Sequence, residues 1–245
     1  MFDSKFRVDA WWGARSATPE SIVNGIDQTL EAVRSFERSA DSWKTSEPAG
    51  IWPNDSIEKL AFVNSNVFLT DPDSNGVVEA QPDRGYTISL FPLNETNSHQ
   101  IISALDFWSG SLTAATEMVF NRVTIAIKKL DKPLTSGNIV RLFESLSSIW
   151  FPDFISLSNR DTRGLLGELY TSPRPGLVMW FSDRLPCAPG VAGLGYPRLG
   201  GGVLVDLRAL VEDSADPIAS LTKVYAELEG VGAFDPIPPM SPLKD

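Results

Sequence analysis

The sequence has only one cysteine and one histidine among its 245 residues. The lone Cys187 excludes an internal disulfide and any metal site built from several cysteines. No stretch approaches the roughly 18 uninterrupted apolar residues that a membrane-spanning helix needs. The chain also lacks, at its start, the basic, apolar and small-residue pattern that is typical of a signal peptide. These absences predict a cytoplasmic protein that neither spans nor binds a membrane.

Basic residues are scarce as well. Twenty-one lysines and arginines stand against 31 aspartates and glutamates, which gives a net charge of −10. Nucleic acid and anionic membranes would repel such a chain, so neither is expected as a direct partner, whereas a basic protein is compatible with this charge. Hydrophobic residues make up 42% of the chain and charged residues 21%, which is the mixture of a folded globular protein.

The N-terminal region predicts one strand followed at once by one helix. Residues Lys5–Ala10 alternate between polar and apolar, which is typical of a half-buried strand, and Gly13 with the two tryptophans before it ends the run. Thr18 is a helix cap and Pro19 is suited to the first helical position. Apolar residues then recur with the helical period of about 3.6 residues. This predicts a buried helix face made by Ile22, Val23, Ile26, Leu30, Val33 and Phe36.

The remaining elements follow from the same two periods. Strands are predicted at residues 85–91, 101–108, 118–128, 154–157, 177–182 and 203–207, and helices at 55–66, 135–149 and 217–228. The three strands between residues 85 and 128 follow one another through short linkers, which predicts an antiparallel meander. The fold class is therefore α+β, with a single mixed, mostly antiparallel sheet and helices packed on one face.

No boundary divides the chain, so residues 1–245 are expected to form a single domain. Residues 159–175 are polar and predict a surface loop with a short helix near residues 164–170. Residues 184–202 are rich in proline and glycine and predict a long irregular loop. Residues 230–245 contain four prolines and predict a loosely ordered tail.

Several short motifs resemble those of the immunity protein 52 family of bacterial polymorphic-toxin systems. That family opens with a strand, a Trp-x-Gly-type motif followed by Arg, and a helix leading to a Trp. It continues with a Trp-x-Pro-type break after a mid-chain helix, and with a Gly-Gly pair before a late strand and helix. The matching positions are Trp11, Trp12, Gly13, Arg15, Trp43, Trp150, Pro152, Gly201 and Gly202.

The resemblance implies a function as well as a fold. A member of this family would bind a cognate toxin and neutralise it by occlusion, protecting the producing cell in bacterial competition. The toxins paired with the family imply a nuclease effector of restriction-endonuclease-like fold, delivered by type VI secretion. A protein of this kind is not an enzyme and needs no cofactor or metal.

Two acidic runs are the candidate toxin-binding residues. One interpretation is that each run is simply a solvated loop. The other is that each forms an anionic patch facing a basic toxin, where complementary charge speeds encounter and fixes register. The candidates are Asp71, Asp73, Glu79, Asp83, Glu212 and Asp213.

Other interpretations remain open on the sequence alone. Residues 71–76 match the first half of a calcium loop, but the twelfth position is Pro82 where a bidentate Glu belongs, so an ordinary turn also fits. The tryptophan pair suits either a core or an interface hot spot. The Gly-rich loop at residues 190–202 and His99 would form the active site if the chain were a small hydrolase or nucleotide-binding enzyme. No G-x-S-x-G elbow accompanies them, and a strand rather than a helix follows the glycines.

Overall fold

The computed structural model contains one antiparallel sheet of ten strands and seven helices within the residues it describes. The predicted α+β class with a single sheet is thereby confirmed. The contacts divide the described chain into two compact units: a first unit up to Trp11 and from Ile127 onward, and a second unit from Trp12 to Ala126. The described residues are 5–34, 42–46, 50–72, 76–93, 101–113, 121–128, 136–166 and 172–237.

The second unit contains two helices and five strands, whose order in the sheet is β3-β2-β4-β5-β6. The predicted pairing of β4 with β5 is antiparallel, with Ile88 opposite Phe107 in their shared register. Its elements are α1 (Pro19–Arg34), β2 (Trp43–Thr45), β3 (Gly50–Ile51), α2 (Ser56–Ser65), β4 (Tyr86–Pro92), β5 (Ile102–Ser109) and β6 (Asn121–Ile127).

The first unit begins with β1 and resumes after β6, and its strand order is β1-β7-β8-β10-β9. The pairs β1–β7, β7–β8 and β8–β10 are all antiparallel. Its elements are β1 (Phe6–Trp12), α3 (Ser136–Trp150), β7 (Phe154–Asn159), α4 (Arg160–Gly164), β8 (Val178–Ser182), α5 (Ala188–Gly193), β9 (Arg198–Leu199), β10 (Gly202–Asp206), α6 (Arg208–Asp213) and α7 (Pro217–Gly230).

Three helices, α1, α2 and α7, begin where the sequence places their caps. The Thr18 hydroxyl accepts a hydrogen bond from the Ser21 amide at 3.2 Å, and α1 starts at the next residue, Pro19. The Asp55 carboxylate accepts from two amides at the start of α2, and the Asp216 carboxylate accepts from one at the start of α7. A side-chain oxygen that satisfies free N–H groups explains each start.

Strand β1 corrects the predicted end of the first strand. The tryptophans do not terminate it, because β1 continues through Trp12 and pairs Trp11 with Phe154 of β7. The alternation is misleading too, since Asp9 is buried with 1% exposure and forms an ion pair with Arg7. A paired carboxylate can occupy an interior position that a polarity pattern assigns to solvent.

Two segments predicted as loops are more ordered than their composition indicates. Residues 159–175 do not form a surface loop throughout, because Asn159 caps α4 through a capping box and is buried together with Thr162. Residues 184–202 contain α5 and β9. Proline at the start of α5 is compatible with a helix, since a helix leaves its first N–H groups unpaired in any case.

The predicted tail is also corrected in its described part. Helix α7 continues to Gly230, and Ala233, Phe234 and Ile237 are buried. The Phe234 ring packs edge-on against Tyr225 of α7, with 5.9 Å between the ring centroids. Residues 238–245 lie outside the described residues. Every helix in the described part of the chain is too short or too polar to cross a bilayer.

Candidate interaction surface

One stretch of the second unit brings three of the candidate acidic residues together. It is a narrow ribbon of residues 67–72 and 76–84, which we call the acidic ribbon. The Thr70 amide donates to the Glu79 carbonyl at 2.9 Å, and the Glu79 amide donates back to the Thr70 hydroxyl at 2.9 Å. These two bonds hold the sides of the ribbon against each other.

The base of the acidic ribbon is fixed by main-chain bonds. The Phe68 amide donates to the Gly85 carbonyl at 2.9 Å, and the Leu112 amide donates to the Asp83 carbonyl at 2.8 Å. Gly85 has a φ of +86°, and a Cβ there would lie 2.5 Å from the Ser109 carbonyl oxygen. Only glycine fits this position, where the ribbon joins β4.

The acidic ribbon exposes negative charge. The side chains of Asp71, Glu79 and Asp83 are exposed, while the Arg84 guanidinium carbon lies 4.7 Å from the centroid of the Phe68 ring. The residues of the acidic ribbon carry three carboxylates and one guanidinium, a net charge of −2. The exposed charge of the ribbon is therefore mostly negative.

The acidic ribbon also exposes apolar side chains, which the sequence did not indicate. Leu69 is 50% exposed, Val77 52% and Val78 47%. Leu112, whose amide is bonded to Asp83, is 45% exposed. Leucine and valine usually predict core, so no pattern in the sequence identifies these as surface residues.

The calcium interpretation of this stretch stays open. Asp73, with the two residues after it, lies outside the described residues. Pro82 begins a 3₁₀ turn and supplies no carboxylate at the twelfth position. No cluster of three or more candidate metal ligands occurs within the described ranges.

The second acidic run belongs to the first unit. Glu212 and Asp213 are the last two residues of α6, and both are exposed. Asp216 follows them and serves α7 as its cap. Nearby, burial raises the pKa of the Asp206 carboxyl, but hydrogen bonds and charge from Arg208 outweigh this effect and lower the pKa overall.

The tryptophans of the opening motif are buried rather than presented at the surface. Trp11 is 3% exposed and Trp12 2%. The Trp11 ring packs edge-on against Phe154 at 6.1 Å, and the Arg174 guanidinium lies 5.3 Å from its centroid. The Arg15 guanidinium lies 5.8 Å from the Trp12 ring. These contacts make the pair part of the core and not an exposed hot spot.

A residue that sequence analysis missed holds this motif in place. Asn121, at the start of β6, is fully buried. Its side-chain amide donates to the Gly13 carbonyl at 2.7 Å and the Ser111 carbonyl at 3.0 Å, and its oxygen accepts from the Ser111 amide at 2.8 Å. A buried asparagine in an apolar strand is the signal that could have identified it.

The Trp-x-Pro break forms the connection between α3 and β7. Trp150 and Pro152 are buried, whereas Phe151 is exposed and has a φ of 47°, in the left-handed region. The Arg184 guanidinium donates to the Phe151 carbonyl at 2.8 Å and pairs with the buried Asp153. The Arg184 cation thus stabilises a turn in which the left-handed conformation of Phe151 is unfavourable.

The Gly-rich stretch does not resemble a phosphate cradle. Gly190 lies within α5, where a Cβ would come 2.9 Å from the side chain of Val231. Gly202 begins β10 and is closely packed, whereas Gly201 has open space around it. His99 lies outside the described residues.

The first unit contains a cavity of about 300 Å³ lined by Cys187, Asp235 and mostly apolar neighbours. Cys187 is 9% exposed. Burial raises the pKa of its thiol to about 11, and the charge of Asp235 acts in the same direction, although a backbone hydrogen bond opposes them. This environment suppresses the thiolate, which is the reactive form.

Alkylation of Cys187 should therefore be slow at neutral pH and accelerate as the pH rises towards 11. A thiol with this pKa is ionised about a hundredfold less at pH 8 than one of ordinary pKa. Iodoacetamide labelling followed by mass spectrometry measures the rate, with the denatured chain as the control. Equal rates in the folded and denatured chain at pH 8 would contradict the assigned environment.

Comparison with known proteins identifies a protein of similar fold but does not assign the chain to a family. No protein-family model matches the sequence. No curated protein matches it either. Among solved structures, the chain is similar to the Pseudomonas aeruginosa T6SS protein PA0821, with a TM-score of 0.55 and 11% sequence identity. The similarity covers 94% of this chain and 78% of that one. At this identity the two chains share a fold.

Proposed function

We propose that this protein is an immunity protein of the immunity protein 52 type, which binds a cognate bacterial toxin and neutralises it. The observation that carries the proposal is the fold shared with a T6SS protein over 94% of the chain. The motif resemblance from Trp11 to Gly202 points to the same biological setting. A cytoplasmic site of action fits a toxin that attacks nucleic acid.

The charge of the chain supports the choice of a nuclease effector as the toxin. A nuclease binds phosphate through a basic surface, and a net charge of −10 complements such a surface. We propose occlusion as the mechanism, with apolar anchors at the centre of the contact and charge around them.

We propose further that the protein catalyses no reaction. The Cys187 thiol lines the cavity of the first unit, and burial raises its pKa to about 11. A catalytic cysteine needs the opposite shift. Turnover by the purified protein that is lost on replacing His99 would contradict this part of the proposal.

Co-expression tests the function directly. The toxin encoded by the neighbouring gene is induced with and without this chain, and growth is recorded. Rescue of growth and a complex that survives size-exclusion chromatography are expected. A toxin from an unrelated pair is the control and should not be neutralised. Absence of both rescue and complex would contradict the proposal.

A further inference from the structure

We propose that the acidic ribbon is the element that docks on the toxin, with Leu69, Val77 and Val78 as its apolar anchors. This inference rests on the proposed function and specifies the surface that carries it out. The occupant is a basic protein surface that also offers apolar contact area, and the phosphate-binding face of a nuclease would supply the basic part.

The distribution of exposed apolar side chains is the first argument. Four of the ten large hydrophobic residues that are exposed in the described chain lie on the acidic ribbon or are bonded to it. Scattered single residues are ordinary on a protein surface, but grouped ones mark an interaction site. The four are Leu69, Val77, Val78 and Leu112.

Charge identifies the occupant. The anchors lie in the acidic ribbon, whose net charge is −2, and Asp71, Glu79 and Asp83 of the same ribbon are exposed. Exposed apolar residues interspersed with carboxylates suit a protein interface, which combines apolar contacts with a polar rim. A second acidic copy of this chain would be repelled, and a basic partner attracted.

Rigidity is the third argument. Main-chain bonds from Phe68 and Leu112 hold the base of the acidic ribbon, and the Thr70–Glu79 pair holds its sides. A segment ordered before binding loses less conformational entropy when it docks, so more of the contact energy appears as affinity. The anchors are therefore presented on a preformed support.

The test uses a catalytically inactive variant of the toxin encoded by the neighbouring gene and measures binding kinetics with two triple variants. Leu69→Ser, Val77→Ser and Val78→Ser together should raise Kd by at least about a hundredfold, mainly through faster dissociation. Asp71→Asn, Glu79→Gln and Asp83→Asn together should slow association by about tenfold at low salt, with a smaller effect at high salt.

Matched controls come from exposed residues outside the acidic ribbon. Ile57 of α2 is 75% exposed and Ile218 of α7 43%, so their replacement by serine removes a similar apolar surface. Glu212→Gln with Asp213→Asn tests the second acidic run. All these controls should bind the toxin as the unmodified chain does. Melting temperatures within about 2 °C of the unmodified chain establish that each variant is folded.

The outcomes separate the two proposals. If the unmodified chain forms no complex, the proposed function fails and the docking surface fails with it. If it forms a complex and the ribbon variants bind equally well, the docking surface alone is wrong. The docking surface would also be wrong if Glu212→Gln with Asp213→Asn, and not the ribbon variants, lost binding. The docking surface would also be wrong if the unmodified chain self-associated and the triple serine variant of the ribbon did not. The occupant would then be a second copy of this chain.

Discussion

Replacing Gly202 with alanine is expected to lower the free energy of unfolding by about 3 kcal/mol, with a fall in melting temperature of roughly 10 °C. A Cβ at this position would lie 2.5 Å from Cε2 of Trp180 and closer still to the carbonyl oxygen of Phe181. The Trp180 indole cannot move away freely, because its N–H donates to the Leu199 carbonyl at 2.8 Å. Neither neighbour can yield without disturbing the pairing of β8 with β10. Thermal and urea denaturation measure the effect.

The adjacent glycine is the matched control. A Cβ at Gly201 would meet nothing within 4 Å, so Gly201→Ala should change the unfolding free energy by less than about 0.5 kcal/mol. If instead both variants were destabilised because alanine restricts the backbone of the Gly-Gly pair, the two effects would be equal. Equal destabilisation would contradict the steric account given for Gly202.

Replacing Asn121 with leucine should cost a similar amount, about 3 kcal/mol. The leucine keeps the branched shape of the side chain, with somewhat more bulk, but removes its two donated bonds and one accepted bond. The Gly13 carbonyl loses the amide donor of Asn121. The Ser111 main chain loses two bonds within a buried region, although its carbonyl still accepts from the Arg15 amide. Because Gly13 follows the tryptophans, the variant should also alter their environment. Denaturation and near-ultraviolet circular dichroism measure the two effects.

Two further variants make the Asn121 experiment specific. Asn121→Asp keeps the acceptor for the Ser111 amide but replaces the donors with a buried charge, so it should be at least as destabilising as the leucine. Asn64 is exposed on α2 and serves as the control, where leucine should be tolerated. Asn121→Leu with the stability and spectrum of the unmodified protein would contradict the assigned role.

Local signals were enough to predict much of the fold. Helices α1 and α7 each combine a capping side chain with an apolar face, and both signals act over a few residues of the same chain. Helix α2 was predicted from its cap, because Val63 is its only buried residue and Ile57 is exposed. Strand β4 was predicted in the same way, since alternation along one strand requires no knowledge of its neighbours. The class followed from the order of these elements.

Long-range contacts explain what sequence analysis missed. Asn121 and Gly13 are 108 positions apart, so no local pattern connects them. Asp9 was assigned to solvent because the pairing of its strand with β7, which is distant in sequence, was unknown. Helix α5 formed where glycine and proline predicted irregular chain, since packing against the rest of the first unit can override weak propensity.

The exposure of side chains on the acidic ribbon could be predicted only in part. The carboxylates of Asp71, Glu79 and Asp83 were identified because charge is a property of the residue itself. The apolar anchors were not, because Leu69 and Val78 look the same in sequence whether they are buried or exposed. Only the folded chain shows which apolar residues remain outside the core.

The supports of the acidic ribbon are almost all main-chain groups, and this affects how the protein can evolve. Hydrogen bonds between amides and carbonyls do not depend on which side chains the same residues carry. Mutations at Leu69, Asp71 or Val77 can therefore change the exposed side chains of the ribbon while its main-chain shape persists. Under the proposed function, this surface could follow a diverging toxin by single substitutions, whereas Gly85 has to be kept.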